Sequence, residues 1–158
     1  MKYSILLFCL LGCSTTLSSK ATLICDSANC PSQEQLDCMM NTFADAVPGF
    51  DVQEDLKITW RDRLIPVPGN PGSKSGYASG LTWNAYEMEV VGIHTVGHEL
   101  IHVQLFRVFG DGDVNHEQEG GYWRQEHHNL ARDLAESMAD KCEYHYVIDY
   151  QKQLKELQ

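Results

Sequence analysis

The sequence predicts an α+β domain in which a small, mostly antiparallel sheet packs on a central helix and a long C-terminal helix. Three observations predict it. The hydrophobic pattern runs helix, strands, helix, helix, the order of a segregated α+β fold. Two long stretches repeat apolar residues at helical spacing, while the segments between alternate with a period of two. The 158 residues are 43% hydrophobic and 22% charged, which suits one modest core and a single domain.

Met1-Lys2 gives a short positive start, Ile5 to Leu11 an apolar stretch, and Ser14 to Lys20 a polar one, the layout of a targeting segment. The apolar run Tyr3 to Gly12 is about half of what a helix needs to cross a bilayer. Residues 1–20 are therefore expected to stay outside the fold, leaving 21–158 as the domain. Pro31-Ser32 with Gln35 reads as a helix start with a capping box, followed by Leu36, Met40, Phe43 and Val47 at helical spacing and stopped by Pro48-Gly49. Leu56 to Arg61 alternates as a half-buried strand. Pro66 to Gly80, rich in Pro and Gly, reads as an exposed loop. Tyr77 to Val90 suits a strand or hairpin, with Leu81, Trp83, Ala85, Glu87 and Glu89 on one side. Val91 to Phe109 is the strongest helix, with His94, His98, Ile101, His102, Leu105 and Phe109 on one face and Gly110 at its end. A last helix runs from about Arg124 to Leu154, striped by Leu130, Leu134, Met138, Cys142 and Tyr146.

Twelve Lys and Arg against twenty-two Asp and Glu give a net charge of -10. Such a surface argues against nucleic acid and against a basic tail on anionic lipid. Four cysteines follow the targeting segment: Cys25, Cys30, Cys38 and Cys142. An even number in an exported chain predicts two disulfides. The short gap makes Cys25 with Cys30 geometrically easy, which leaves Cys38 with Cys142, a bridge from the first helix to the last. A cysteine zinc site is disfavoured because no C-x-x-C pair exists.

The central helix carries His98-Glu99-Leu100-Ile101-His102, an H-E-x-x-H motif. Spacing of i, i+4 puts both imidazoles on one face, a turn apart, where they can share one zinc. Glu99 lies about 100° round the helix. There it is suited to act as general base on a metal-activated water attacking a carbonyl. Two buried histidines without a shared ligand would be costly. Uncharged neighbours flank the motif, and the stretch resembles the active-site helix of zincin metallopeptidases, with Gln104 where that family usually has an apolar residue.

A catalytic zinc needs a third protein ligand and an open position. His116 is the first choice, because it follows the turn Asp111-Gly112-Asp113 that lets the chain fold back. The run from His98 through His116 to Trp123 resembles SprT-like and WLM-like zincins, whose third ligand is a histidine at similar spacing ahead of an aromatic. The resemblance covers residues 95–123. SprT relatives act on DNA-bound proteins, which an acidic, exported chain is not expected to do. Glu136 is the rival ligand, since Glu136 to Asp140 resembles the E-x-x-x-D segment of gluzincins; its helical phase instead places it on an acidic, solvated face with Asp133.

His94 lies one turn before His98 and is expected in the core or behind a ligand. His127, His128 and His145, with Tyr122, Tyr144 and Tyr146, are further candidates to orient a ligand or stabilise an oxyanion. Asp111 to Asn115 opens like an EF-hand loop, but His116 and Tyr122 stand where that loop needs Gly and Glu.

The end of the apolar run, Leu10-Leu11-Gly12-Cys13, resembles a bacterial lipoprotein lipobox, implying an acylated Cys13 as the only membrane attachment. Ordinary signal cleavage after Ser19-Lys20-Ala21 is the alternative. Either places the protein in the cell envelope or outside the cell. The expected function is thus an exported Zn2+-dependent metallopeptidase acting on a peptide or protein, with Glu99 as base and His98, His102 and His116 on the metal. Two alternatives stand beside it: an envelope binding module that turns over nothing, and zinc hydrolysis of a cell-wall amide.

Overall fold

The computed structural model describes residues 17–67, 75–113, 116 and 121–157. Cys13 and the apolar targeting run lie outside them. The chain enters through β1 (Ala21–Asp26) and α1 (Gln33–Ala46), then β2 (Leu56–Arg61) and the short β3 (Ile65–Pro66). β4 (Tyr77–Ala78), β5 (Gly80–Asn84) and β6 (Glu87–Val90) follow, and then α2 (Ile93–Phe109), α3 (Gln125–Lys141) and α4 (Tyr150–Glu156). The class is α+β.

α1 begins as its sequence requires. Ser32 Oγ accepts the Gln35 N–H at 3.1 Å and Gln35 Oε1 accepts the Ser32 N–H at 2.9 Å, a complete capping box that satisfies two orphan donors. The four-stranded sheet is ordered β1-β2-β6-β5. β1 runs parallel to β2 in register Ala21↔Leu56, and β2 parallel to β6 with Lys57↔Glu87. Only β5 runs antiparallel, Gly80 opposite Val90. The expected mostly antiparallel sheet is therefore corrected to a mixed one. Two crossovers are the reason: α1 joins β1 to β2, and the long connection through β3, β4 and β5 joins β2 to β6, and such crossovers join parallel neighbours. A second pair, β3 with β4, crosses part of the stretch expected to be loop.

Residues 17–20 do not stay outside the fold as expected. The Ser19 hydroxyl and N–H both donate to Asp37 Oδ1, at 2.6 and 3.1 Å, and the Lys20 N–H donates to Val52 O. Gln53 and Asn41 side chains hold the carbonyls of Ser18 and Leu17.

One face of the sheet is wet and carries ion pairs: Lys57 with Glu87, and Arg61 with both Asp26 and Glu89. The other face meets the helices. Trp60, Ile58, Met88 and Val90 from the sheet, Leu36, Met39 and Phe43 from α1, Leu100 from α2 and Met138 from α3 are all essentially sealed from solvent. α2 lies between β5 and β6 on one side and α3 on the other, so it is buried nearly all round rather than on a single stripe. Its exposed residues include His94 and Phe109, both expected on the buried face. Gly97 permits the close approach of α3: a Cβ there would stand 2.8 Å from Leu134 Cβ. Gly110 ends α2 in the left-handed region at φ 75°, its N–H bonded to Phe106 O.

Both expected disulfides are present, Cys25–Cys30 and Cys38–Cys142. The long C-terminal helix is not continuous. α3 stops at Lys141, Glu143 takes a left-handed φ of 51°, and residues 142–149 run non-helically. Tertiary bonds replace the helical ones. Cys142 is held by α1, Tyr144 reaches Asn29 O, and Tyr146 O accepts the Ile93 N–H that starts α2. Apolar residues beyond Cys142 thus pack across the start of α2 instead of extending the stripe. No described helix is long and apolar enough to cross a membrane.

Candidate metal centre

Among the described residues one group of three potential metal ligands gathers, His98, His102 and His116, with ligand atoms within 4.8 Å of one another. α2 presents His98 and His102 a turn apart, and the stretch after Gly112 folds back to bring His116 to them. The nitrogens that meet are all Nε2: His102 lies 3.2 Å from His98 and 2.8 Å from His116.

The tautomer of His102 follows from its other nitrogen. Nδ1 lies 2.6 Å from Gly112 O, and a carbonyl only accepts, so Nδ1 carries the proton and Nε2 keeps its lone pair. That one lone pair cannot satisfy two neighbouring imidazoles at once. A cation at the convergence would, which makes the donor set fit a transition metal. Protonation is disfavoured as well. Burial, then the charges of His102, His116 and His128, push His98 down to about 3. Burial pushes His102 down to about 4 against the opposing pull of the Gly112 carbonyl. Both rings are thus neutral over the physiological range, the form that ligates metal.

Trp123 is the plate under this group. Its ring centroid is 4.4 Å from His102 and 4.3 Å from His116, nearly parallel to both, and 4.7 Å from His98. It is buried, so solvent is excluded from that side of the imidazoles, and its Nε1 has no hydrogen-bond partner. His127 and His128, from the first turn of α3, stand 5.5 and 5.2 Å from the same indole.

Glu99 is buried and turned towards β5. The Thr82 hydroxyl donates to Glu99 Oε2 at 2.8 Å and lies 3.0 Å from the Glu99 backbone carbonyl. On the same strand Gly80 leaves room for the carboxyl, since any Cβ there would overlap Oε1. Burial raises the Glu99 carboxyl to about 8, with the Thr82 hydrogen bond pulling the other way.

The structure brings the three expected imidazoles into one cluster; Glu99 follows His98 on α2, with its carboxyl held at β5. It does not bring the rival. Glu136 and Asp140 are exposed on α3, as their helical phase indicated. His94 and His145 are exposed, Tyr144 is committed to Asn29, and Tyr122 stacks on Phe109 at 4.2 Å. Thr82, Gly80, Asp113 and the Gly112 carbonyl were not singled out by motif. For Thr82 a signal existed: the alternation that faces Leu81 and Trp83 one way turns residue 82 to the other side. No known protein family, curated relative or solved structure matches the chain.

Proposed function

We propose that the protein is a zinc-dependent metallopeptidase of zincin type that works in an oxidising, extracytoplasmic compartment. The observation that carries it is the convergence of three imidazole Nε2 atoms, with a buried glutamate one position along α2 that the adjoining edge strand holds in place. His98, His102 and His116 would hold the metal. Zinc in that position would supply a Lewis acid that acidifies water and polarises a carbonyl.

This chain's own residues account for the rest. Thr82 occupies Glu99 Oε2, so Oε1, which lies against Gly80, is the oxygen that would take a proton from the attacking water and deliver it to the departing amine nitrogen. A neighbouring cation favours the ionised carboxylate, offsetting the burial that otherwise keeps Glu99 protonated. Trp123 closes one side of the imidazole group, so water and substrate would approach from the other. β5 is an outer strand of its sheet, paired only with β6 among the described residues, and an extended peptide adding to its other side would lie along Gly80 and Thr82. Two disulfides accord with export. Acylation at Cys13 would then be the membrane attachment.

Zinc per chain, measured by elemental analysis on wild type, His116→Ala and Glu136→Ala, tests the metal set. One zinc in wild type and in Glu136→Ala, lost in His116→Ala, is expected. Glu99→Gln should keep the metal and lose hydrolysis of a mixed peptide library. Wild type that takes up no zinc overturns the proposal; metal without any hydrolysis leaves a binding module in its place.

A further inference from the structure

Asp113 is buried and adopts a left-handed φ of 48°, a conformation that costs a non-glycine residue energy and persists only where its surroundings enforce it. A set of bonds enforces it, and two of them lead to residues of the histidine–Trp123 group. Its Oδ2 accepts the backbone N–H of Trp123 at 2.6 Å, joining two points ten residues apart. Its carbonyl accepts the His116 N–H at 3.1 Å. Its own N–H is held by Asp111 Oδ1 at 2.9 Å. The residue before it supplies the carbonyl that fixes the His102 tautomer. On the far side Gly121 lies so close that any Cβ would overlap the carboxylate.

We infer that Asp113 is a positioning residue for metal binding: its carboxylate clasps the two ends of the stretch 113–123 and thereby sets His116, the Gly112 carbonyl and the Trp123 plate in place together. The inference rests on the reading of His98, His102 and His116 as ligands. It assigns Asp113 no contact with the metal. Partners of this kind, behind the ligands, typically change metal affinity by about 10- to 100-fold when removed.

Zinc affinity, by competition with a chromophoric chelator, should be measured on wild type, Asp113→Ala, Asp113→Asn and Gly121→Ala, alongside melting of each metal-free protein. Asn tolerates left-handed φ and keeps one acceptor oxygen for the Trp123 N–H. Asp113→Ala and Gly121→Ala, which attack the clasp from opposite sides, should each weaken zinc by about tenfold or more. Asp113→Asn should stay within roughly threefold of wild type. Trp123 belongs to the core, so the metal-free melts of Asp113→Ala and Gly121→Ala should fall, and the affinities are compared at a temperature where each melt shows the variant folded. Asp113→Ala binding as tightly as wild type overturns the inference while leaving the ligand reading intact. Asp113→Asn as weak as Asp113→Ala overturns it too, since the hydrogen bond then is not what matters. Failure of wild type itself to bind zinc defeats the ligand reading first, and His116→Ala run in parallel separates the two cases.

Discussion

Replacing Gly97 by Ala sets two opposed effects against each other, and the sign of the outcome decides between them. Gly97 lies within α2, where alanine is favoured over glycine by about 1 kcal/mol. If helix propensity ruled, the variant would be more stable. Yet the added Cβ would stand 2.8 Å from Leu134 Cβ, with Leu134 Cδ1 at 3.5 Å and Ala131 O at 3.6 Å. Ordinary carbon contacts need about 3.5–4.0 Å, so α2 and α3 must part by roughly 1 Å. The opposing atom is a Cβ, so no rotamer change relieves the overlap. Overpacking of this kind costs about 1–3 kcal/mol, and the rigid backbone contact places it in the upper half of that range. The net expectation is a loss of about 1–2 kcal/mol, a fall in melting temperature of roughly 3–8 °C. Urea and thermal unfolding of metal-free wild type and Gly97→Ala measure it. A variant more stable than wild type by the full propensity gain would refute the close-approach argument for α2 and α3.

The two disulfides span 104 and 5 residues, and on the chain-entropy account the longer contributes about 4.7 kcal/mol against about 2 for the shorter. Urea unfolding of Cys38→Ala/Cys142→Ala and Cys25→Ala/Cys30→Ala should show that ordering; equal losses would contradict it. The metal-free protein should be most stable near pH 6.5. Below that, the unfolded chain takes up protons on two histidines that the fold holds neutral down to about 3 and about 4, so stability is full above 6.5 and drains as the pH falls. Above it, the unfolded chain has released the Glu99 proton that the fold keeps until about pH 8, so the Glu99 contribution, full below about 4.5, is lost as pH rises through 8. Urea midpoints across pH 4 to 9 check this, and Glu99→Gln should flatten the alkaline side and steepen the acid side between 4.5 and 6.5, where the Glu99 loss opposes the histidine gain. Processing after Ala21 would remove Ser19 with its bonds to Asp37 and the first residue of β1. The mature chain is therefore expected to begin upstream of Leu17; an intact mass that starts at Thr22 would contradict it.

Much of the site could be read in the chain because it depends on local geometry. The i, i+4 spacing of His98 and His102 fixes their shared face once the helix is granted, and the turn residues before His116 allow the return. Helical phase argues against Glu136 without excluding it, and its exposure on α3 agrees with that phase. Where the reading failed, tertiary bonds had won over local pattern. Tyr146 continues a helical stripe on paper, but the backbone at 142–149 bonds to the start of α2 and to the Asn29 carbonyl. β1 was missed because Ala21 to Asp26 alternates weakly, being an edge strand with most residues half-buried or exposed. The parallel pairing of β2 with β6 joins segments about thirty residues apart, which no local pattern reports. Asp113 and Thr82 act through single hydrogen bonds to residues ten and seventeen positions away, and no periodicity in one sequence reports such pairs.

The Cys38–Cys142 bridge makes the intervening chain a covalent ring. β2 to β6, α2, α3 and all three histidines of the cluster lie within it. One cut anywhere in that ring opens it without releasing a fragment, and the new ends remain tethered on both sides. For a protein proposed to cut peptides itself, a single nick in an exposed loop would be a survivable event. Such a molecule would run as one band without reductant and as two with it, and could still hold its three imidazoles together.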